Sequence, residues 1–259
     1  MEQLLTLAGF DPSGGAGILM DIKMFTLLGF KGAGVPTALT FQNSQTFQGW
    51  IALHPNSYEK MLKLILEDLS ISGVKLGMLA TPELVSLTSF YLKKYKSQIK
   101  WIVYDPVLKA TLNYSLFEGE SFLQAITKEL FPLLDFLTPN IEEAEILSSK
   151  SIKDRKDLKE VAKIIKSKGV RHLLIKGLIR RGRICSYYYG EGEDSKCYST
   201  KALPFEFHGT GCALSSLLLG YLIKIKDPEK ALSLAIKKLS LYLKKASQED
   251  LKTGLILIH

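Results

Sequence analysis

The chain alternates short apolar runs with longer amphipathic stretches, and this alternation limits the possible folds more than any other feature. Residues 4–8 predict a strand, followed by a helix over residues 15–28. A helix over 57–69 leads into a strand at 74–77, and a helix over 82–95 leads into a strand at 101–105. Strands at 136–138 and 172–176 repeat the scheme around a helical pattern spanning 141–168. Near-continuous apolar runs suit strands buried on both faces, and such strands belong to parallel sheets covered by helices above and below. Residues 185–189 and 196–199 flank Gly190 and Gly192 and predict an antiparallel hairpin at a sheet edge. The last quarter reads as two helices, 211–224 and 228–246. The expectation is an α/β fold in three layers, with a mostly parallel central sheet. No linker or repeat divides the chain, so residues 1–259 read as a single domain.

In such sheets ligands bind beyond the carboxyl ends of the strands. That rule directs attention to Gly9-Phe10-Asp11, Met78, Asp105-Pro106-Val107, Pro139-Asn140 and Lys176-Gly177. The sharpest segment is His208-Gly209-Thr210-Gly211-Cys212, which opens the apolar helix over 211–224. Glycines at a helix start leave backbone N–H groups free, and with the helix dipole they form an anion site. A tight turn with Thr210 or Ser215 as a cap is the plainer reading. Cys212 lies in that first turn, where the dipole favours the thiolate. It reads either as a base or nucleophile, or as a small buried hydrophobe.

The segment Gly9-Phe10-Asp11-Pro12-Ser13-Gly14-Gly15-Ala16-Gly17 fits neither a P-loop nor a G-x-G-x-x-G motif. It reads as a flexible turn or as backbone packed on a ligand. Asn140 and Glu143 have the spacing of a capping box; the alternative is a Mg²⁺ site, since Mg²⁺ takes oxygen ligands and usually only one or two carboxylates. Lys176 is either a solvated strand-end lysine or a charge for phosphate.

Composition narrows the partners. The net charge of +8 comes mostly from lysine, whereas base readout favours arginine. Nucleic acid is therefore not the expected partner, and the paired lysines 237–238 and 244–245 read as a solvated helix face. No run approaches the roughly 20 apolar residues of a membrane span. The acidic start and the break of the first apolar run at Asp11-Pro12 do not resemble a secretory signal. Three cysteines without a CxxC argue against zinc and suit reduced thiols in the cytoplasm.

Together these segments resemble the hydroxymethylpyrimidine/phosphomethylpyrimidine kinases of thiamine biosynthesis, a ribokinase-like family. The likeness runs nearly end to end. It is carried by the segment from Ala8 to Ile18, Asp21-Ile22-Lys23, the segment from Thr37 to Asn43, Lys75-Leu76-Gly77-Met78-Leu79, Asp105-Pro106-Val107, Thr138-Pro139-Asn140 with Glu143, Lys176-Gly177 and Gly209-Thr210-Gly211-Cys212. The resemblance implies that Gln42 holds the pyrimidine's amino and ring-nitrogen edge, that Met78 and Val107 line its apolar part, and that Gly9, Asp11 and Asp21 shape the pocket. It implies that Asn140 and Glu143 order Mg²⁺ and ATP through water, with Lys176 and Gly177 near the phosphates. Gly209, Thr210 and Gly211 become the anion hole, with Cys212 as base or as a group that polarises the hydroxyl. It also implies a homodimer.

Three segments depart from the family's pattern: Thr111-Leu112-Asn113, Leu178-Ile179, and the approach Pro204-Phe205-Glu206-Phe207 to His208. They leave room for two other readings, a pyridoxal kinase of vitamin B6 salvage and a degenerate relative that binds a pyrimidine without turnover.

Overall fold

The computed structural model describes residues 1–43, 46–109, 116–117, 119–180, 182–192, 194–201 and 208–245. The departures at Thr111-Leu112-Asn113 and at residues 204–207 lie outside these residues. The strands are β1 (Gln3–Phe10), β2 (Lys31–Gln42), β3 (Phe47–Ala52), β4 (Ile71–Leu76), β5 (Trp101–Tyr104), β6 (Phe136–Leu137), β7 (His172–Arg180), β8 (Arg183–Tyr189) and β9 (Ser195–Lys201). They form one sheet in the order β3-β2-β1-β4-β5-β6-β7-β8-β9. Every pairing from β2 to β7 is parallel; β3, β8 and β9 are antiparallel additions at the two edges.

The helices are α1 (Gly17–Leu27), α2 (Pro55–Asp68), α3 (Pro82–Lys94), α4 (Gly119–Ala125), α5 (Ile141–Ser148), α6 (Arg155–Ser167), α7 (Thr210–Ile225) and α8 (Pro228–Lys245). Side-chain alternation along each strand divides the core between the two faces. Leu5 and Leu7, Ile102 and Tyr104, and Leu173 and Ile175 pack with residues of α2, α3, α5 and α6. Their neighbours Leu4, Val103 and Leu174 point the other way and pack against α1, α7 and α8. The three-layer expectation therefore holds.

The stretch 141–168 is two helices rather than one, because Ser149 adopts the left-handed conformation (φ 55°) and Asp154 starts α6 with a second capping box. Strands β2 and β3 did not emerge from the alternation. Strand β2 carries Gly32, Gly34 and Pro36, residues that ordinarily weaken a strand. The glycines are there because α1 lies close: a Cβ on Gly34 would sit 2.7 Å from Ile18. Pro36 sits where the β1–β2 register shifts. No helix among the described residues is long and apolar enough to cross a membrane.

The chain leaves β1 through α1 to reach β2, and leaves β3 through α2, on the opposite face, to reach β4. The carboxyl end of β1 is thus a topological switch point, where a crevice forms.

Candidate active site

A cavity of about 380 Å³ opens at that switch point. Its rim is made by two loops nearly 200 residues apart in sequence. In the first, Asp11 accepts from the Ser13 amide (2.9 Å), the Ser13 hydroxyl (2.7 Å) and the Ala16 amide (2.9 Å), which folds the turn on itself. His208 Nε2 lies 3.3 Å from Asp11 Oδ2 and ties the second loop to the first. Burial works against the Asp11 carboxylate, but the His208 and Ser13 contacts outweigh it and hold its pKa below the ordinary value. The glycines follow from close backbone approach between the loops and within the first of them. A Cβ on Gly209, whose φ is 75°, would lie 1.8 Å from the Gly15 carbonyl oxygen, and one on Gly17 would lie 2.1 Å from that of Gly9.

Gly209 is also the N-cap of α7 and, having no side chain, supplies no cap hydrogen bond to that terminus. The first-turn amides therefore face the cavity, which Gly209, Thr210, Gly211 and Cys212 line. Cys212 departs from the sequence-based expectation. Burial pushes its thiol up to about 11, and Asp21 and Asp105 push the same way. The Lys75 ammonium and the Gly17 amide pull down without prevailing. The helix dipole is outweighed because the sulfur is desolvated and faces two carboxylates.

One end of the cavity is polar. Lys176 donates to Asp105 at 2.6 Å, and Asp105 also accepts from Thr138 at 3.1 Å. Lys176 is therefore paired and mostly covered rather than solvated. Burial would raise the Asp105 carboxyl, but the charges of Lys176 and Lys75 hold it below the usual range. The capping box at Asn140 forms: Asn140 Oδ1 accepts from the Glu143 amide and Glu143 Oε2 accepts from the Asn140 amide, both at 2.8 Å. Both residues nevertheless line the cavity, so the cap does not exclude a ligand role. Burial pushes Glu143 up to about 7, with Lys176 opposing and Asp105 reinforcing the rise. Two carboxylates and an amide at one cavity end form an oxygen donor set that fits a hydrated divalent cation.

The opposite end is more apolar. Met78, Val107, Phe47 and Leu116 line it, with Thr40 and Gln42 as polar edges. Gly9 packs closely there, since a Cβ on it would lie 3.3 Å from the Met78 sulfur. Alternation along β2 turns Thr40 and Gln42 towards the cavity and Leu39 and Phe41 outwards.

Of the residues singled out in the sequence, Gly9, Asp11, Gln42, Met78, Val107, Asn140, Glu143, Lys176, Gly209, Thr210, Gly211 and Cys212 all line this cavity. Asp21 and Gly177 do not. Asp21 is fully buried on α1 beneath the floor, where it accepts from Thr6, Lys75 and Ser216. Gly177 adopts φ 90° where the β7–β8 register shifts, which accounts for a glycine at that position. The sequence reading assigned no role to Asp105, Lys75, Thr40 or His208. Asp105 and His208 fell within segments the sequence marked; for Lys75 the available signal was a lysine within the strand β4, unusual for a buried position.

Comparison with known proteins agrees with this geometry. The family model for phosphomethylpyrimidine kinase matches residues 11–256. The hydroxymethylpyrimidine/phosphomethylpyrimidine kinase of Aquifex aeolicus is 37% identical over 234 residues, covering 89% of this chain and 90% of that protein. The crystal structure of phosphomethylpyrimidine kinase from Clostridium difficile 630 superposes with a TM-score of 0.81 at 32% identity, over 94% of this chain and all of that one. The pyridoxal kinase of Staphylococcus aureus in complex with AMP-PCP and pyridoxal gives 0.82 at 27% identity, over 94% and 88%. With its switch-point cavity, its uncapped α7 terminus and the match along nearly all its length, the chain belongs to the phosphomethylpyrimidine kinase family and is a phosphotransferase.

Proposed function

We propose that this chain transfers the γ-phosphate of ATP to the hydroxymethyl group of 4-amino-5-hydroxymethyl-2-methylpyrimidine, and then to the resulting monophosphate, giving the diphosphate used in thiamine biosynthesis. The observation that carries this reading is that one cavity is lined both by the N-terminus of α7 with Cys212 and by apolar side chains edged by Gln42. The heterocycle lies against the part of the cavity lined by Gly9 and Met78, with Gln42 on its amino edge. The γ-phosphate rests on the amides of Gly209, Thr210 and Gly211, with Lys176 beside it. Cys212 takes the hydroxymethyl proton as the oxygen attacks phosphorus and ADP leaves. Phosphoryl transfer depends chiefly on such positioning and charge stabilisation.

Mg²⁺ would be held through water by Glu143 and Asn140, and would supply charge neutralisation at the phosphates. The reading takes residues 1–259 as one catalytic unit in the cytoplasm, working as a homodimer. Leu39, Phe41 and Ile51, exposed together on one face of the β2–β3 hairpin, support self-association through that edge.

ADP release by purified protein, with Mg²⁺, tests the reading against hydroxymethylpyrimidine, its monophosphate and pyridoxal. Turnover of both pyrimidines is expected. Preference for pyridoxal would move the chain to vitamin B6 salvage, a reading favoured by its likeness to pyridoxal kinase. Binding without turnover would make it a degenerate relative.

A further inference from the structure

Lys75 is fully buried in the middle of the sheet, and its side chain borders the cavity floor. Fully buried lysines are rare unless paired. Its ammonium donates to Asp21 Oδ2 at 2.8 Å, and Asp21 is held in turn by Thr6 (2.5 Å) and Ser216 (2.8 Å). A buried ion pair of this kind contributes little net stability compared with apolar side chains of similar volume. Stability therefore does not explain its presence.

Its placement does. Gly73 and Lys75 share one face of β4, and a Cβ on Gly73 would touch Leu219 and Ile223 of α7. Two residues further along the strand is about 6.6 Å, a little more than one helical turn. That brings Lys75 beneath α7 near Ser215 and Ser216, in agreement with the Ser216–Asp21 bond. Cys212 lies one turn before Ser216, on the same helix face and bordering the same cavity as Lys75.

We propose that Lys75 is a positioning residue for the transfer: its ammonium, fixed by Asp21 one helical turn along α7 from Cys212, supplies the positive charge against which Cys212 releases its proton and takes that of the substrate. The inference rests on the reading of Cys212 as base. Other charged groups facing Cys212 are Asp21 from α1, Asp105 after β5 and Lys176 from β7, with Glu143 of α5, Asp11 and His208 on the cavity wall. Among these, Lys75 and Asp21 act on the sulfur with opposite signs.

The opposition of sign gives the test. Alkylation of Cys212 by iodoacetamide, followed by mass spectrometry at one fixed alkaline pH, reports the thiolate fraction. It is measured in the wild type, Lys75→Met, Asp21→Asn and the double variant, alongside the pH profile of kcat/KM. Lys75→Met should slow alkylation by about tenfold or more and Asp21→Asn should speed it by about tenfold, with the double variant between them. The kcat/KM profiles should move in the same directions. Loosening of the floor would instead speed alkylation in both single variants, and that result, or changes within about twofold, overturns the proposal. If Lys75→Met does not fold, the comparison of Asp21→Asn with the double variant serves, where loss of Lys75 must still slow alkylation. Unmoved alkylation with Cys212→Ala inactive would overturn the role of Lys75 and leave the base reading standing. Opposed alkylation shifts with Cys212→Ala fully active would refute the base reading itself, and the proposal with it.

Discussion

Replacing Gly209 by alanine tests whether the loop-to-loop contact, and not chain flexibility, is what the glycines provide. Two costs apply. The left-handed conformation at φ 75° is strained for alanine by about 1–2 kcal/mol. The new Cβ also falls 1.8 Å from the Gly15 carbonyl oxygen, a backbone atom that no rotamer change can move aside. The loops must therefore part by about 1 Å or more, and a misplacement of that size near reacting groups costs about 10²-fold in rate, or roughly 2.7 kcal/mol in the barrier. Gly29 is the control: its φ is 80°, yet nothing lies within 4 Å of its Cβ position, so Gly29→Ala carries the strain without the clash. Both variants should lose a few degrees of melting temperature, at about 2–4 °C per kcal/mol. Gly209→Ala alone should lose about 10²-fold in kcat by the ADP-release assay. Equal kcat in the two variants would refute the argument, since strain alone would then account for everything.

Cys212→Ala should lower turnover by at least about 10²-fold. With the thiol at about 11, a base role also requires kcat/KM of the wild type to climb about tenfold per pH unit through the alkaline range; a flat profile would assign Cys212 to polarising the hydroxyl. Gln42→Ala should raise the KM for the pyrimidine while leaving kcat close to wild type, and an unchanged KM would remove Gln42 from recognition. Glu143 is raised from 4.5 to about 7 in the fold, so the native state binds its proton more tightly than the unfolded chain does. Its contribution to stability is present below pH 4.5 and is lost as pH rises towards about 7. Melting curves of Glu143→Gln minus wild type should therefore diverge across that window, and parallel curves would contradict the burial argument.

Much of the architecture was legible because two-faced burial leaves a mark on sequence. Strands β1, β4 and β5 read as apolar runs since helices cover them on both sides. Strand β2 was not legible, because close packing of α1 demands glycines where a strand usually has bulk. At the site, the glycines that open α7 stood out in the sequence, but their reason did not: the partner of Gly209 is the backbone of Gly15, and no local pattern links segments so far apart. The pKa of Cys212 was misjudged for the same cause. A helix terminus is visible in sequence, whereas Asp21 and Asp105 reach the sulfur only through the fold.

Asp21 shows how a residue of a strong motif can shape a site that it does not line. It belongs to a segment shared with the family, yet its carboxylate never reaches the cavity. It joins Thr6 on β1, Lys75 on β4 and Ser216 on α7, one turn along the helix from Cys212. Asp11 does the equivalent work above, folding its own loop and holding His208 of the other. The cradle is thus clamped at rim and floor by one carboxylate each, both from the first 21 residues and both reaching the start of α7. Geometry fixed from two sides by charged hydrogen bonds is the pre-organisation that phosphoryl transfer needs, because electrostatic stabilisation is strongest when donors need not reorganise.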